Sequence, residues 1–247
     1  MNTMSPIADS ARLPIIDLSL FDAGDPWRDH VAAQVDWAAS EFGAFYIVGH
    51  GIEPGVIDAL LAQPAGFQEA ALDYVSALTG LGHRLMTSIG RGLRLGDHYF
   101  VDRYTGNPST RFLIFNDADG MGEHKDDGLL RLLHQDDAGG LQWKHGSAWI
   151  DAPHVPGSFV VNVGESLERL TSGRYRSASH RVVKRSVPAR AIVPFYFGAH
   201  ASIEVRPIAG VGPVAVSAAP AERWHEADLS FHRRYCEYAA VLGVERQ

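Results

Sequence analysis

The chain has 247 residues, a formal net charge of -7, and 46% hydrophobic against 21% charged residues, which suits one soluble globular domain with a good-sized core. The acidic balance argues against non-specific nucleic-acid binding, which needs a basic face, and no apolar run reaches membrane-spanning length. Cys236 is the one cysteine, which excludes an internal disulfide framework and a cysteine-based zinc site. With no signal-peptide pattern at the N-terminus, a cytoplasmic protein is expected.

In chain order, Leu13-Pro14-Ile15-Ile16-Asp17-Leu18 is short, apolar and β-branched and reads as a strand. Asp25-Pro26 reads as an N-cap followed by proline at the first helical position. Trp27, Val31, Val35, Ala38 and Phe42 then fall on one helical stripe, which Gly43 ends. Ala44 to Val48 is a second strand, closed by Gly49-His50-Gly51. Two further helices are expected over residues 54–62 and 66–92, the second broken or capped near Gly80-Leu81-Gly82.

From about residue 110 short apolar runs alternate with Gly, Asp and Pro: Phe112 to Phe115, Leu129 to Leu133, Leu141 to Trp143, Phe159 to Val163, Ala178 to Val183 and Ile192 to Phe197. Turn residues such as Asp136-Asp137-Ala138-Gly139-Gly140 and Pro153-His154-Val155-Pro156-Gly157 separate them. Strands at this spacing predict a mostly β fold of the sandwich or jelly-roll kind with flanking helices. The division expected is a helical N-terminal part to about residue 105, a β core over about 106–205, and a last helix over about 226–241.

In Gly122-Glu123-His124-Lys125-Asp126-Asp127-Gly128 an imidazole and a carboxylate stand two residues apart. On extended backbone both leave the same face, and Lys125 faces away. A two-His-one-carboxylate iron site needs such a pair and one further His. Ser177-Ala178-Ser179-His180-Arg181-Val182-Val183 offers His180 on the face shared by Ala178 and Val182. His134-Gln135-Asp136 repeats the His-x-Asp pattern, although its carboxylate stands where a strand enters a turn and is better placed to cap it. Spacing leaves both pairs open. The glycine pairs Gly80/Gly82 and Gly90/Gly92 lack the full phosphate-loop fingerprint and read as helix punctuation. Ser166 and Ser179 have no nucleophile motif around them, and His83, His98 and His145 read as packing or surface residues.

The segments Glu123 to Leu130, Gln135 to Gln142, Val155 to Glu165 and Ser179 to Val183 together resemble the isopenicillin N synthase-like branch of the non-haem Fe(II)/2-oxoglutarate dioxygenases. Pro14 to Leu18 and Gly43 to Ile52 resemble that family's opening. The resemblance covers most of residues 13–200 and implies a double-stranded β-helix with iron near one open end. It places His124, Asp126 and His180 as metal ligands and leaves His134 out. It also implies Fe(II), 2-oxoglutarate and O2 as the reactive set, with a small-molecule substrate oxidised, most simply by C–H hydroxylation; charge and hydropathy lead to the expectation of no nucleic-acid or membrane partner.

Two departures bear on that expectation. The family pairs an Arg with a Ser two residues on to hold the distal carboxylate of 2-oxoglutarate; here Arg190 is followed by Ile192. An assisting Tyr aligns with Phe115, beside which Asn116 offers the nearest polar group. The segment between the helix at 54–62 and Leu85 is shorter than is usual for the family, which implies a pocket that is more open or completed by a second copy in a homo-oligomer. The sequence thus leaves two other readings, an Fe(II) oxidase that does not use 2-oxoglutarate and a non-catalytic binding protein retaining the fold.

Overall fold

Strand β1 (Ile15–Asp17) runs parallel to β2 (Ala44–Val48), with helix α1 (Asp25–Glu41) between them. These come from a computed structural model that describes residues 12–62, 66–116, 120–135, 139–183 and 191–213. The expected C-terminal helix over 226–241, together with Asp136, Arg190 and Cys236, lies outside those residues. Helix α1 begins after Gly24, not at an Asp25 cap: Asp25 sits in the first turn, and its carboxylate accepts from Arg91 at 2.7 Å. Val31, Val35 and Ala38 on its stripe are fully buried, whereas Trp27 at the stripe's start stands out in solvent.

Helices α2 (Pro54–Ala62) and α3 (Phe67–Gly92) follow, and α3 runs unbroken through Gly80 and Gly82. Gly82 has a packing reason instead of a breaking one. A Cβ there would meet the Phe197 ring at 2.6 Å, so the missing side chain lets the helix lie flat on the sheet.

The remaining strands are β3 (Ser109–Phe112), β4 (Phe115–Asn116), β5 (Met121–His124), β6 (Leu130–His134), β7 (Leu141–His145), β8 (Ala148–Asp151), β9 (Phe159–Val163), β10 (His180–Val182) and β11 (Ala191–Gly198). Helix α4 (Glu165–Leu170) links β9 to the segment before β10. The expected single strand over 112–115 is two strands, and β5 and β8 are additional to the apolar runs. Both are short and half-exposed, so their sequences lack the apolar signal.

One sheet has seven strands in the order β1-β2-β9-β6-β11-β3, with β4 paired to β11; the other has four, β5-β10-β7-β8. Alternation along the large sheet divides its residues cleanly. Phe45, Ile47, Leu130, Leu132, Phe159, Val161, Phe195 and Phe197 face the helices and form the main core with α1 and α3. Ala44, Tyr46, Leu133 and Val160 turn the other way and meet Leu141, Trp143 and Val182 of the small sheet in a second core. Two facing sheets with helices against one of them form the jelly roll. Among the described residues no helix is long and apolar enough to cross a membrane.

Candidate metal centre

Across the inner face of the large sheet, register places one row of residues side by side. Ala44 pairs with Asn162, Asn162 with Arg131, Arg131 with Tyr196, and Tyr196 with Arg111. A polar row on an inner face is costly unless its members are satisfied. Here the partners come from the edge of the small sheet. His124 ends β5, His180 opens β10, and the two residues are direct register partners.

Asp126 is not on the strand. It lies in the loop after β5, so the shared-face argument gives the right convergence through a different backbone. That loop is clamped onto the start of α4: the Asp126 carbonyl accepts from the Glu165 N–H at 2.9 Å and the Gly128 carbonyl from the Ser166 N–H at 3.0 Å. Gly128 turns with φ +81°, a conformation that favours glycine, and Gly164 leaves room for the Gly128 carbonyl against it. Lys125 faces away, as expected, and its ammonium reaches Glu168 at 3.1 Å.

His124, Asp126 and His180 each offer one donor atom, all within 4.8 Å of one another, and they are the one such cluster among the described residues. His124 Nε2 stands 4.0 Å from Asp126 Oδ1, and His180 Nε2 3.3 Å from Asp126 Oδ2. Two donors about 2 Å from one ion lie roughly 3 to 4 Å apart, and the distances from the carboxylate to both imidazoles fall in that range. The outer contacts fit too. His124 Nδ1 lies 2.8 Å from the Gly122 carbonyl and His180 Nδ1 3.1 Å from that of Ala178. With those nitrogens donating, each Nε2 keeps its lone pair for a metal. Asn162 Nδ2 donates to Asp126 Oδ2 at 2.9 Å and fixes the carboxylate from the opposite sheet. Two imidazoles and one carboxylate are the set suited to non-haem Fe(II).

Burial pushes the His180 imidazolium down to about 4 against the pull of Asp126, so the ring is neutral at neutral pH, the form that ligates. His134, the rival ligand, faces the Phe159 ring at 5.8 Å, away from the cluster, and burial lowers its pKa to about 4.

Arg131 is the residue the sequence reading missed. It is 1% exposed, and its Nη1 donates to Asp126 Oδ1 at 2.9 Å and His180 Nε2 at 2.8 Å, with His124 Nε2 at 3.5 Å. Its signal was present in Leu129-Leu130-Arg131-Leu132-Leu133: an arginine inside an apolar strand is rarely buried without a dedicated partner. Its guanidinium stands 5.6 Å from the Tyr196 ring, and that of Arg111 lies 4.6 Å from the same ring. A cleft of about 350 Å³ bordered by Arg111, Asp127, Gly128 and Tyr196 reaches the neighbours of the cluster. A cleft of about 390 Å³ bordered by Phe42, Lys125, Lys144 and Ser179 touches none of the three ligands.

The 2OG-Fe(II) oxygenase superfamily model matches residues 97–199, and the model for the N-terminal part of non-haem dioxygenases in morphine synthesis matches residues 13–72. A probable iron/ascorbate oxidoreductase of Dictyostelium discoideum is 36% identical over 198 residues, 70% of this chain and 54% of that protein. A homoarginine-6-hydroxylase of Arabidopsis thaliana is 34% identical over 59% of this chain and 48% of its own length. The chain thus spans about half the length of both relatives. In fold it is similar to a full-length Neurospora crassa protein solved in complex with alpha-KG: TM-score 0.73 at 21% identity, covering 92% of this chain and 95% of that one. With a jelly roll, two histidines and an aspartate converging at its edge, and both family models matching in order, the chain belongs to the 2OG-Fe(II) oxygenase superfamily.

Proposed function

We propose that this chain is a single-domain non-haem dioxygenase that uses Fe(II), 2-oxoglutarate and O2 to oxidise a small molecule, most simply by hydroxylation, releasing succinate and CO2. The observation that carries the reading is the cluster of His124, Asp126 and His180 with each histidine's Nε2 turned inward and the carboxylate held by Asn162. When bound, iron and 2-oxoglutarate supply an oxidant strong enough to break a C–H bond. The chain's own residues hold and orient. Three ligands on one side leave the other side for co-substrate and O2. Along the inner face of the large sheet, Arg131 and Asn162 are flanked two residues away by the buried Leu133 and Val160, an apolar surface on that side.

In this reading Arg190 takes the distal carboxylate of 2-oxoglutarate, assisted by Asn116. Its support is the pairing of Ala191, the residue after Arg190, with Asn116, and of Ile192 with Phe115. A bidentate arginine contact is the stronger member of the family's Arg and Ser pair, so Ile192 costs about 1 kcal/mol of co-substrate binding.

The test needs no substrate. Supplied with Fe(II), O2 and 2-oxoglutarate, the protein should form succinate slowly, and Asp126→Ala should not. Arg190→Leu should raise the KM for 2-oxoglutarate at unchanged metal affinity. Iron binding without any succinate would favour the oxidase reading.

A further inference from the structure

Among the described residues, Arg131 is the buried cation at the cluster, and the proposed chemistry gives it no task. We propose that its guanidinium competes with the metal for His180 and is drawn off by the carboxylate of the incoming 2-oxo acid, so that metal and 2-oxo acid load together. The inference rests on the reading of His124, Asp126 and His180 as an iron site.

The competition follows from a single lone pair. His180 Nδ1 is committed to the Ala178 carbonyl at 3.1 Å, so its proton sits there and Nε2 has one lone pair to give. Arg131 Nη1 donates into that lone pair at 2.8 Å. A metal needs the same lone pair, so the two occupants exclude each other at this atom. The same Nη1 takes Asp126 Oδ1 at 2.9 Å, so a second ligand atom is also engaged. An arginine cannot relieve the conflict by losing its proton, because the guanidinium stays charged throughout the ordinary pH range.

Retreat is restricted as well. Arg131 is held by the main-chain ladder on both sides, opposite Asn162 of β9 and Tyr196 of β11. Its neighbours Leu130 and Leu132 are fully buried against the helices, so the strand cannot shift to withdraw it. Only the side chain can turn, and at 1% exposure it does not reach water by a small rotation. Its Nε is buried with no hydrogen-bond partner, which leaves a donor in reserve. A guanidinium displaced by a dication, with the single carboxylate of Asp126 between them, leaves local positive charge in excess. A carboxylate corrects that charge and matches the fork of donors.

The test is a calorimetric titration of Mn(II) into the metal-free protein, wild type against Arg131→Leu, with and without 2-oxoglutarate. Folding is followed by circular dichroism. Without 2-oxoglutarate, the variant should bind Mn(II) about tenfold more tightly than the wild type or better, the size typical of groups contacting metal ligands. Added 2-oxoglutarate should tighten wild-type binding by a larger factor than it tightens the variant's. A folded variant with equal or weaker Mn(II) affinity overturns the proposal and leaves the iron site standing. Mn(II) bound by neither protein removes the iron site as well.

Should the leucine variant fail to fold, wild-type crystals with Mn(II) and 2-oxoglutarate decide. Arg131 is then expected off His180 and against a carboxylate oxygen. Arg131 still bonded to His180 beside a bound Mn(II) overturns the inference.

Discussion

The two sheets do different work at the metal centre. The four-stranded sheet is short and half-exposed, and its strands β5 and β10 present the two histidines. Each histidine's outward nitrogen meets a backbone carbonyl two residues earlier, Gly122 or Ala178, so its orientation is locally set. The seven-stranded sheet carries none of the three ligands, yet its Arg131 and Asn162 are buried polar groups that bond to Asp126, and Arg131 also to His180. One sheet supplies lone pairs and the other restrains them. The two histidines thus stand on the smaller sheet, and the side chains that fix the carboxylate stand on the larger, more buried one.

Removing a ligand should have the largest effect. His180→Ala or Asp126→Ala should abolish measurable metal binding in the micromolar range and with it succinate formation, and Asp126→Ala should also cost about 3–5 kcal/mol of stability because it leaves Arg131 buried without its carboxylate. Retained iron binding in both variants would break the division between the sheets.

Stability should divide the other way. Phe195→Ala, in the fully buried face against α3, should cost about 3–5 kcal/mol in denaturant unfolding. Ile150→Ala, in the half-buried edge strand β8, should cost about 1 kcal/mol. Comparable losses would mean that the small sheet is no less cooperative than the large one.

A smaller effect is expected at the junction. Asn162→Ala should leave the fold intact and weaken metal binding about tenfold to a hundredfold, because Asp126 then loses its partner from the opposite sheet. Unchanged affinity would show that the clamp of Asp126 and Gly128 on α4 suffices to place the carboxylate.

The last effect is pH-dependent. Burial lowers His134 to about 4 from its ordinary 6.5, with His154 and His50 adding to the shift. The unfolded chain therefore takes a proton near pH 6.5 while the folded chain resists it until about 4. The contribution of neutral His134 is present above pH 6.5 and is lost as pH falls towards 4. His134→Gln should flatten that part of the stability profile, as measured by thermal melts across the window. An unchanged slope would place the acid sensitivity elsewhere.

Much of this was legible in the sequence because it rests on local order. Apolar runs such as Phe159 to Val163 and Leu130 to Leu133 became central strands, and the His124, Asp126 and His180 segments came together as their order implied. What was not legible depends on cross-strand register. Arg131 reaches the cluster because β6 lies between β9 and β11, a pairing that no spacing within 130–134 encodes. Glycine at 82 read as a helix break because its reason is the Phe197 ring, 115 residues further along the chain. Strands β5 and β8 escaped because edge strands carry little apolar signal.

The most direct measurement is anaerobic addition of Fe(II) and then 2-oxoglutarate to the metal-free protein, followed in the visible range. The expected result is the weak charge-transfer band of the iron-bound 2-oxo acid, present in the wild type and absent in His180→Ala. Iron bound at the cluster with no band on adding 2-oxoglutarate would contradict the account.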